Sequence, residues 1–146
     1  MDSPFYQPPE PTAAAAIDAI AEDLEVFDDW MDRYQFIIDL GRKLPAFPPA
    51  WMDDDHRVPG CQSKVWMQAQ RVGDQLFFAG ASDAAIVSGL VALLLRVYSG
   101  RTPAEIMATD PVFLKELGLL EALSTNRGNG IASMARAIRE RAGVER

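Results

Sequence analysis

The residue best equipped for chemistry is Cys61, the only cysteine among the 146 residues. It follows Pro59 and Gly60, a pair that is typical of a bend in a loop. The polar residues Gln62 and Ser63 come directly after it. Because free cysteines are among the most buried residue types, a structural thiol in the core is one interpretation. The bend and the polar neighbours favour the other, a reactive thiol presented on a loop.

A single thiol limits the chemistry that this chain can perform. A disulfide oxidoreductase needs a second, resolving cysteine, and an internal disulfide or a cysteine-ligated cluster needs more than one. A thiol hydrolase needs a general base, and His56, the only histidine, lies five residues before Cys61. A sulfur carrier needs only one nucleophilic thiol on a mobile loop, since persulfide exchange follows the logic of thiol–disulfide exchange. The last two chemistries stay open at this point.

The charge distribution restricts the partners. The formal net charge is −7, and residues 1–60 hold 13 of the 21 acidic residues but only 4 of the 14 basic ones. A nucleic acid partner is disfavoured because phosphate binding requires a basic surface, whereas a protein partner with complementary charge remains open. The run Asp53-Asp54-Asp55-His56 is better explained as a solvated loop than as a metal site. The N-terminus shows no secretory signal, and one cysteine suits a reducing compartment, so we expect a cytoplasmic protein.

The first half of the chain predicts two helices and a hairpin. Residues 1–11 carry four prolines and predict a flexible N-terminal arm, followed by a single domain over residues 12–146. Thr12 is a candidate cap for an amphipathic helix over residues 13–27, and Asp28 or Asp29 for a second helix. Alternating apolar residues around Gly73-Asp74 predict strands over residues 64–72 and 75–81. A third strand is expected over residues 56–59.

The second half is predicted to be helical. Residues 84–98 are apolar on nearly all sides and should form the central buried helix, capped by Ser82-Asp83. Two short helices should follow, then a polar loop over residues 124–130 and a final amphipathic helix. The order predicts an α+β fold, with a small antiparallel β-sheet packed against several α-helices.

The segment Gly60-Cys61-Gln62-Ser63, followed by Val65-Trp66, is similar to the signature of the SufE family of sulfur-acceptor proteins. Further similar segments occur in the same order along residues 30–141. They are Leu44-Pro45, the run from Gly80 to Val87, Thr102 to Ile106, and Leu123 to Gly128.

The resemblance implies a fold, a function and partners. It implies a SufE/IscU-like fold and a protein that accepts persulfide sulfur on Cys61 from a SufS-like cysteine desulfurase, stimulates that enzyme, and passes sulfur to a SufBCD-like iron–sulfur scaffold. No cofactor is expected here, since pyridoxal phosphate belongs to the partner. The resemblance makes the chain a carrier and activator rather than a stand-alone enzyme. It leaves open whether the chain forms a homodimer.

The resemblance also suggests supporting or partner-binding residues: Gly60, Gln62, Ser63, Asp83 and Arg127. Arg127 is expected in the late polar loop, and Asp83 is expected to be chiefly a helix cap. Two alternatives remain. One is a non-catalytic adaptor that regulates a desulfurase, and the other is a thiol hydrolase that uses Cys61 and His56.

Overall fold

The computed structural model describes residues 3–61, 63–119 and 125–145. Over these residues the fold is α+β, as predicted, with six α-helices and a two-stranded antiparallel sheet. No helix of this described part is long and apolar enough to cross a membrane. The elements are α1 Ala13–Glu25, α2 Trp30–Arg42, β1 Val65–Val72, β2 Gln75–Ser82, α3 Ala85–Tyr98, α4 Pro103–Ala108, α5 Phe113–Glu116 and α6 Thr125–Glu145.

Both N-terminal helices begin at the predicted caps. The Thr12 Oγ1 accepts a hydrogen bond from the Ala15 amide at 3.1 Å, and the Asp29 Oδ1 accepts one from the Asp32 amide at 2.9 Å. Each bond satisfies one of the amides that a helix start leaves without an intrahelical partner. Helix α1 is slightly shorter than the predicted range 13–27.

The hairpin has the predicted register but lacks the predicted third strand. Val65 faces Ser82 at one end and Val72 faces Gln75 at the other. Residues 54–56 form a single 3-10 turn, because the Asp53 carboxylate accepts a hydrogen bond from the His56 amide at 3.1 Å. In the described part of the chain, only an isolated bridge between Arg57 and Trp66 remains of that strand. The prediction of a strand over residues 56–59 is therefore wrong.

Helix α3 is the centre of the core, and α2 crosses it at close range. Eleven residues of α3 are buried, among them Leu94 and Leu95. At the crossing, a Cβ added to Gly89 would clash with the carbonyl oxygen of Ile37, and one added to Gly41 would lie 2.6 Å from the Gly89 nitrogen. Two glycines thus allow the backbones of α2 and α3 to touch, which fixes how the helical layer covers the hairpin.

Helix α3 does not begin at the predicted cap. Its N-cap position is Ala84, and no side chain accepts a hydrogen bond there as a cap. The Ser82 Oγ accepts a hydrogen bond from the Ala84 amide at 3.2 Å, while the Asp83 carboxylate points instead to the Lys64 amide. The prediction that Asp83 caps the helix is wrong, because its carboxylate bonds to Lys64 across the hairpin instead of to an amide at the start of α3.

The C-terminal third is more helical than expected. Thr102 caps α4, and Gly118, at φ +77°, follows α5. Residues 125–130 belong to helix α6, so the prediction of a polar loop over residues 124–130 is wrong for them. Residues 120–124 lie outside the described residues. As expected for an amphipathic helix, α6 buries one face, which includes Ile131, Met134, Ala135 and Ile138.

Residues 3–11 lie across the hairpin and the end of α3. The Tyr6 amide donates to the Phe78 carbonyl at 2.8 Å, and the Ser99 hydroxyl donates to the Tyr6 carbonyl at 2.6 Å. Glu10 pairs with Arg96 at 2.7 Å. These contacts cover the edge of β2 that does not face β1. The division into a flexible arm and a single domain stays a prediction.

Candidate functional site

The loop that carries Cys61 is pressed against helix α6. Gly60 has φ +86°, in the left-handed region that favours glycine. A Cβ at this position would also lie 2.7 Å from the Ser133 Oγ. Backbone conformation and space therefore both require glycine immediately before the cysteine.

The Cys61 thiol lies half-buried between its loop and α6. Its Sγ donates a hydrogen bond to the Gly130 carbonyl oxygen at 3.6 Å. Gly130 is itself buried, and a Cβ added there would lie 3.9 Å from the Sγ. An alanine at this position would make only an ordinary van der Waals contact with the thiol.

The environment of Cys61 favours the protonated thiol. Burial raises the pKa of Cys61, and the nearby positive charge of Arg57 lowers it by a smaller amount. Because the thiolate is the nucleophilic form, a thiol with a raised pKa is quiet at neutral pH. A more exposed position of this thiol would favour the thiolate.

Both ends of the Cys61 loop are fixed to the hairpin. On the upstream side, the Val58 amide donates to the Val65 carbonyl at 2.8 Å. On the downstream side, the Lys64 amide donates to the Asp83 Oδ1 at 3.0 Å. The Lys64 carbonyl accepts from the Ser82 hydroxyl at 2.7 Å and from the Asp83 amide at 3.2 Å. Any movement of this short loop is therefore confined to the residues between Val58 and Lys64.

His56 is fully engaged away from the thiol. Its Nδ1 lies 2.7 Å from the Asp53 carboxylate, and its Nε2 lies 2.9 Å from the Gln68 amide nitrogen. The ring also stacks on Trp51, with 6.0 Å between centroids. The side-chain hydrogen bond with His56 is the main reason why the pKa of Asp53 is lowered. With both ring nitrogens occupied, His56 offers no free base to Cys61.

A cavity of about 270 Å³ lies beside the upstream half of the loop. The loop residues Val58 and Pro59, the hairpin residues Met67 and Phe78, and Ile138 of α6 contribute to its walls. Empty space next to Pro59 leaves room for the loop to change its conformation. Within the described ranges, no group of three or more His, Cys, Asp and Glu side chains is arranged to hold a metal ion.

The structure brings together four of the six residues that the sequence indicates. Gly60, Cys61 and Ser63 share the loop, and Asp83 holds its downstream end. Gln62 lies outside the described residues. The backbone of Arg127 lies in the first turns of α6, not in a loop, and its side chain also falls outside the description.

Sequence reasoning missed the α6 side of the site. Gly130 accepts the thiol hydrogen bond, and Ser133 lies against Gly60. The pattern Gly128-Asn129-Gly130 was the available signal. It indicated a loop, although residue 130 belongs to a helix and its backbone carbonyl accepts the thiol hydrogen bond.

Comparisons with known proteins agree on one family. The family described as "SufE: Fe-S metabolism associated domain" matches residues 18–142. This chain therefore belongs to the SufE family and contains its iron–sulfur metabolism domain. The resemblance of the short motifs is thereby confirmed over most of the chain.

Two curated relatives and one solved structure extend this result. An uncharacterized SufE-like protein of Rhizobium etli is 42% identical over 135 residues, which are 89% of this chain and 91% of the relative. Another, from Rhizobium meliloti, is 40% identical over 132 residues, which are 87% of this chain and 94% of the relative. The solution structure of a hypothetical protein from Thermus thermophilus superposes with a TM-score of 0.71 at 20% identity. It covers 87% of this chain and 93% of that one, and supports the fold.

Proposed function

We propose that this chain is a sulfur-acceptor protein that takes persulfide sulfur from a cysteine desulfurase onto Cys61. The observation that carries the proposal is the placement of the chain's single thiol, half-buried on a loop fixed at both ends. Membership of the SufE family supports the same role. In this proposal the protein works in the cytoplasm, stimulates the desulfurase and delivers sulfur for iron–sulfur cluster assembly.

The transfer step is a simple displacement. The Cys61 thiolate attacks the outer sulfur of the desulfurase persulfide and forms a new S–S bond. The original S–S bond breaks, and the desulfurase cysteine leaves as a thiolate. One thiolate is consumed and one is produced, so no net oxidation occurs. The step needs no general base in this chain once Cys61 is deprotonated.

The half-buried position of Cys61 and its raised pKa support a change on partner binding. We propose that the desulfurase draws the loop away from Gly130, which exposes the thiol to water and lowers its pKa. Gln62 and Ser63 would then offer hydrogen-bond donors to the transferred sulfur, and Arg127 would contact the partner. Gly60 provides the hinge. It has no Cβ, so it can leave its left-handed conformation for other backbone conformations at little cost.

The test is intact-protein mass spectrometry after incubation with a cysteine desulfurase and free cysteine. The parent chain should gain increments of about 32 Da, one sulfur atom each. The Cys61→Ser variant should fold and gain none. If the variant gains the same increments, the sulfur-acceptor proposal is wrong. If neither protein gains sulfur while both stimulate the desulfurase equally, the chain is a non-catalytic adaptor.

The loop movement has its own test. A desulfurase without its nucleophilic cysteine should change the alkylation rate of Cys61, and faster alkylation would support loop opening. An unchanged alkylation rate at saturating partner would exclude loop opening.

Arg127→Ala should weaken partner binding. Arg136→Ala, a change of the same kind at an exposed position of α6, is the control. Equal binding by the parent and Arg127→Ala would remove Arg127 from the interface.

A further inference from the structure

One part of the cavity beside the Cys61 loop is apolar. Met67 and Phe78 of the hairpin and Ile138 of α6 line it, and Phe78 and Ile138 are almost fully buried. The volume of about 270 Å³ lies just below the range of about 300–1,000 Å³ that holds drug-sized ligands. The cavity therefore suits a small molecule with a short apolar body.

The polar part of this cavity is rich in hydrogen-bond donors. Arg57 contributes from the loop and Arg141 from α6, so two guanidinium groups line it alongside a single carboxylate, that of Asp55. The Arg57 guanidinium has no ion pair or hydrogen-bond partner among the residues that the structure describes. A guanidinium only donates hydrogen bonds, and its planar fork matches the geometry of a carboxylate. These groups favour an anionic head group.

Gln68 adds a donor whose orientation is fixed. Its Oε1 accepts a hydrogen bond from the Ala69 amide at 2.9 Å, and its Nε2 lies 2.9 Å from the His56 Nε2. The His56 Nδ1 donates to the Asp53 carboxylate at 2.7 Å, so the Nε2 of the neutral ring accepts from Gln68. The second N–H of the Gln68 amide has no partner in the described part of the chain. Because Gln68 lines the cavity, this N–H is available to an acceptor bound there.

A molecule in this cavity would act on Cys61 in two ways. Pro59, two residues before the cysteine, lines the cavity, so a bound molecule would fill the space into which the loop can move. Burial raises the pKa of Cys61 and the positive charge of Arg57 partly lowers it, so a bound anion that offsets this charge would raise the pKa further. Both effects reduce the amount of accessible thiolate.

We propose that this cavity is a binding site for a small carboxylate with a short apolar body, which holds the Cys61 loop in its closed position against Gly130. The carboxylate lies between Arg57 and Arg141 and accepts a hydrogen bond from Gln68, while the apolar body lies between the hairpin and α6. The site goes beyond the proposed function, because binding and its effect on the thiol require no desulfurase. Either proposal can fail without the other.

An NMR titration of the full chain with hexanoate tests the site. We expect saturable shifts of the amide signals of Val58, Ala69 and Ile138, which surround the cavity. Hexylamine and hexanol have the same apolar chain without the negative charge and should give much weaker shifts at the same ionic strength. The absence of saturable shifts with hexanoate, or equal shifts with all three compounds, overturns the proposal.

Two pairs of variants locate the binding site. Ala137→Leu fills the cavity and should abolish hexanoate binding, whereas Ala132→Leu, the same change on α6 outside the cavity, should bind like the parent. Arg57→Gln should weaken binding about three- to tenfold, because a charged hydrogen bond is lost. Arg42→Gln, which removes an exposed charge on α2, is its control. Circular dichroism verifies the fold of each variant. Parent-like binding by folded Ala137→Leu or Arg57→Gln would show that hexanoate binds elsewhere.

Alkylation of Cys61 by iodoacetamide tests the effect on the loop. If the ligand binds only the closed loop, a hexanoate concentration about ten times the dissociation constant should slow alkylation about tenfold. The same concentration should leave the rate in Ala137→Leu unchanged. An unchanged rate in the parent, at a concentration that saturates the NMR shifts, would contradict closure of the loop. Sulfur acceptance is measured separately by mass spectrometry, so this outcome leaves the proposed function intact.

Discussion

The Cys61 thiol donates its hydrogen bond to the main-chain carbonyl of Gly130 at 3.6 Å, in a segment 69 positions later. A carbonyl oxygen can only accept, so this contact stabilises the protonated thiol and not the thiolate. A contact with the backbone thus favours the protonated form of Cys61.

Alkylation of Cys61 should therefore require a higher pH than alkylation of the unfolded chain. Burial raises the thiol pKa in the folded state, so the thiolate forms later as pH rises. Arg57→Gln removes the charge that lowers this pKa, and the midpoint should move further up. Stopped-flow alkylation across the alkaline range gives both midpoints. Equal midpoints for the parent and the unfolded chain would contradict the burial argument.

The same shift has a consequence for stability. Because the folded pKa lies above the unfolded one, the unfolded chain loses this proton first as pH rises. Stability from the buried thiol is therefore full below the ordinary cysteine pKa and is lost as pH rises through the folded value. In Cys61→Ser, the free energy of unfolding from denaturant titrations should therefore fall less as pH rises than it does in the parent chain.

Asp83→Ala should make Cys61 more accessible. The variant removes the acceptor for the Lys64 amide, so the downstream end of the loop loses one fixed contact. Asp83→Asn is the matched control, since its amide oxygen can still accept this hydrogen bond. We expect faster alkylation for Asp83→Ala and a rate near that of the parent for Asp83→Asn. Equal rates for all three proteins would show that this bond does not hold the loop.

His56→Ala should change stability more than sulfur transfer. The side chain loses its contacts with Asp53, Gln68 and Trp51, so the melting temperature should fall. Sulfur acceptance should stay within a few-fold of the parent, because the ring offers Cys61 no free nitrogen. A loss of about 100-fold, as expected for a missing general base, would restore the hydrolase hypothesis.

Glu10→Gln should destabilise the protein at neutral pH by about 1–3 kcal/mol, since it weakens a charged hydrogen bond to Arg96. The hydrogen bond from Arg96 is the main cause of the lowered pKa of Glu10. That stability is therefore present above the ordinary glutamate pKa and is lost as pH falls through the folded value. Urea titrations at several pH values should show that the free energy of unfolding falls less at acid pH in the variant than in the parent. Asp39→Asn, which removes the exposed pair with Arg42, is the control and should change little.

Gly89→Ala should be strongly destabilising. Its Cβ would meet the Ile37 backbone, which cannot move without separating α2 from α3. Overpacking usually costs about 1–3 kcal/mol, and we expect the free energy of unfolding to fall by at least this much. Gly143→Ala is the matched control, because its Cβ would lie 3.9 Å from Met107 and alanine favours a helix. Equal unfolding midpoints for the two variants would contradict the close crossing.

Local patterns in the sequence predicted the local structure. The caps at Thr12 and Asp29, the turn at Gly73 and the buried helix α3 all follow from neighbours within a few positions. The missing third strand is a local error, since the Asp53 cap at residues 54–56 was not foreseen. The cap at Asp83 and the contact of Cys61 were missed because a distant partner competes. Asp83 bonds to Lys64, 19 positions away, and the Cys61 loop packs on α6, so neither contact could be inferred from local spacing.

The contacts of residues 3–11 also determine when this segment can fold. Tyr6 bonds to Ser99, 93 positions later, and Glu10 bonds to Arg96, 86 positions later. On the ribosome, this segment leaves the exit tunnel long before its partners exist. Such distant contacts form slowly, because a long loop must close first. Residues 3–11 are synthesised before α3 and must therefore wait for that helix before they reach their native place.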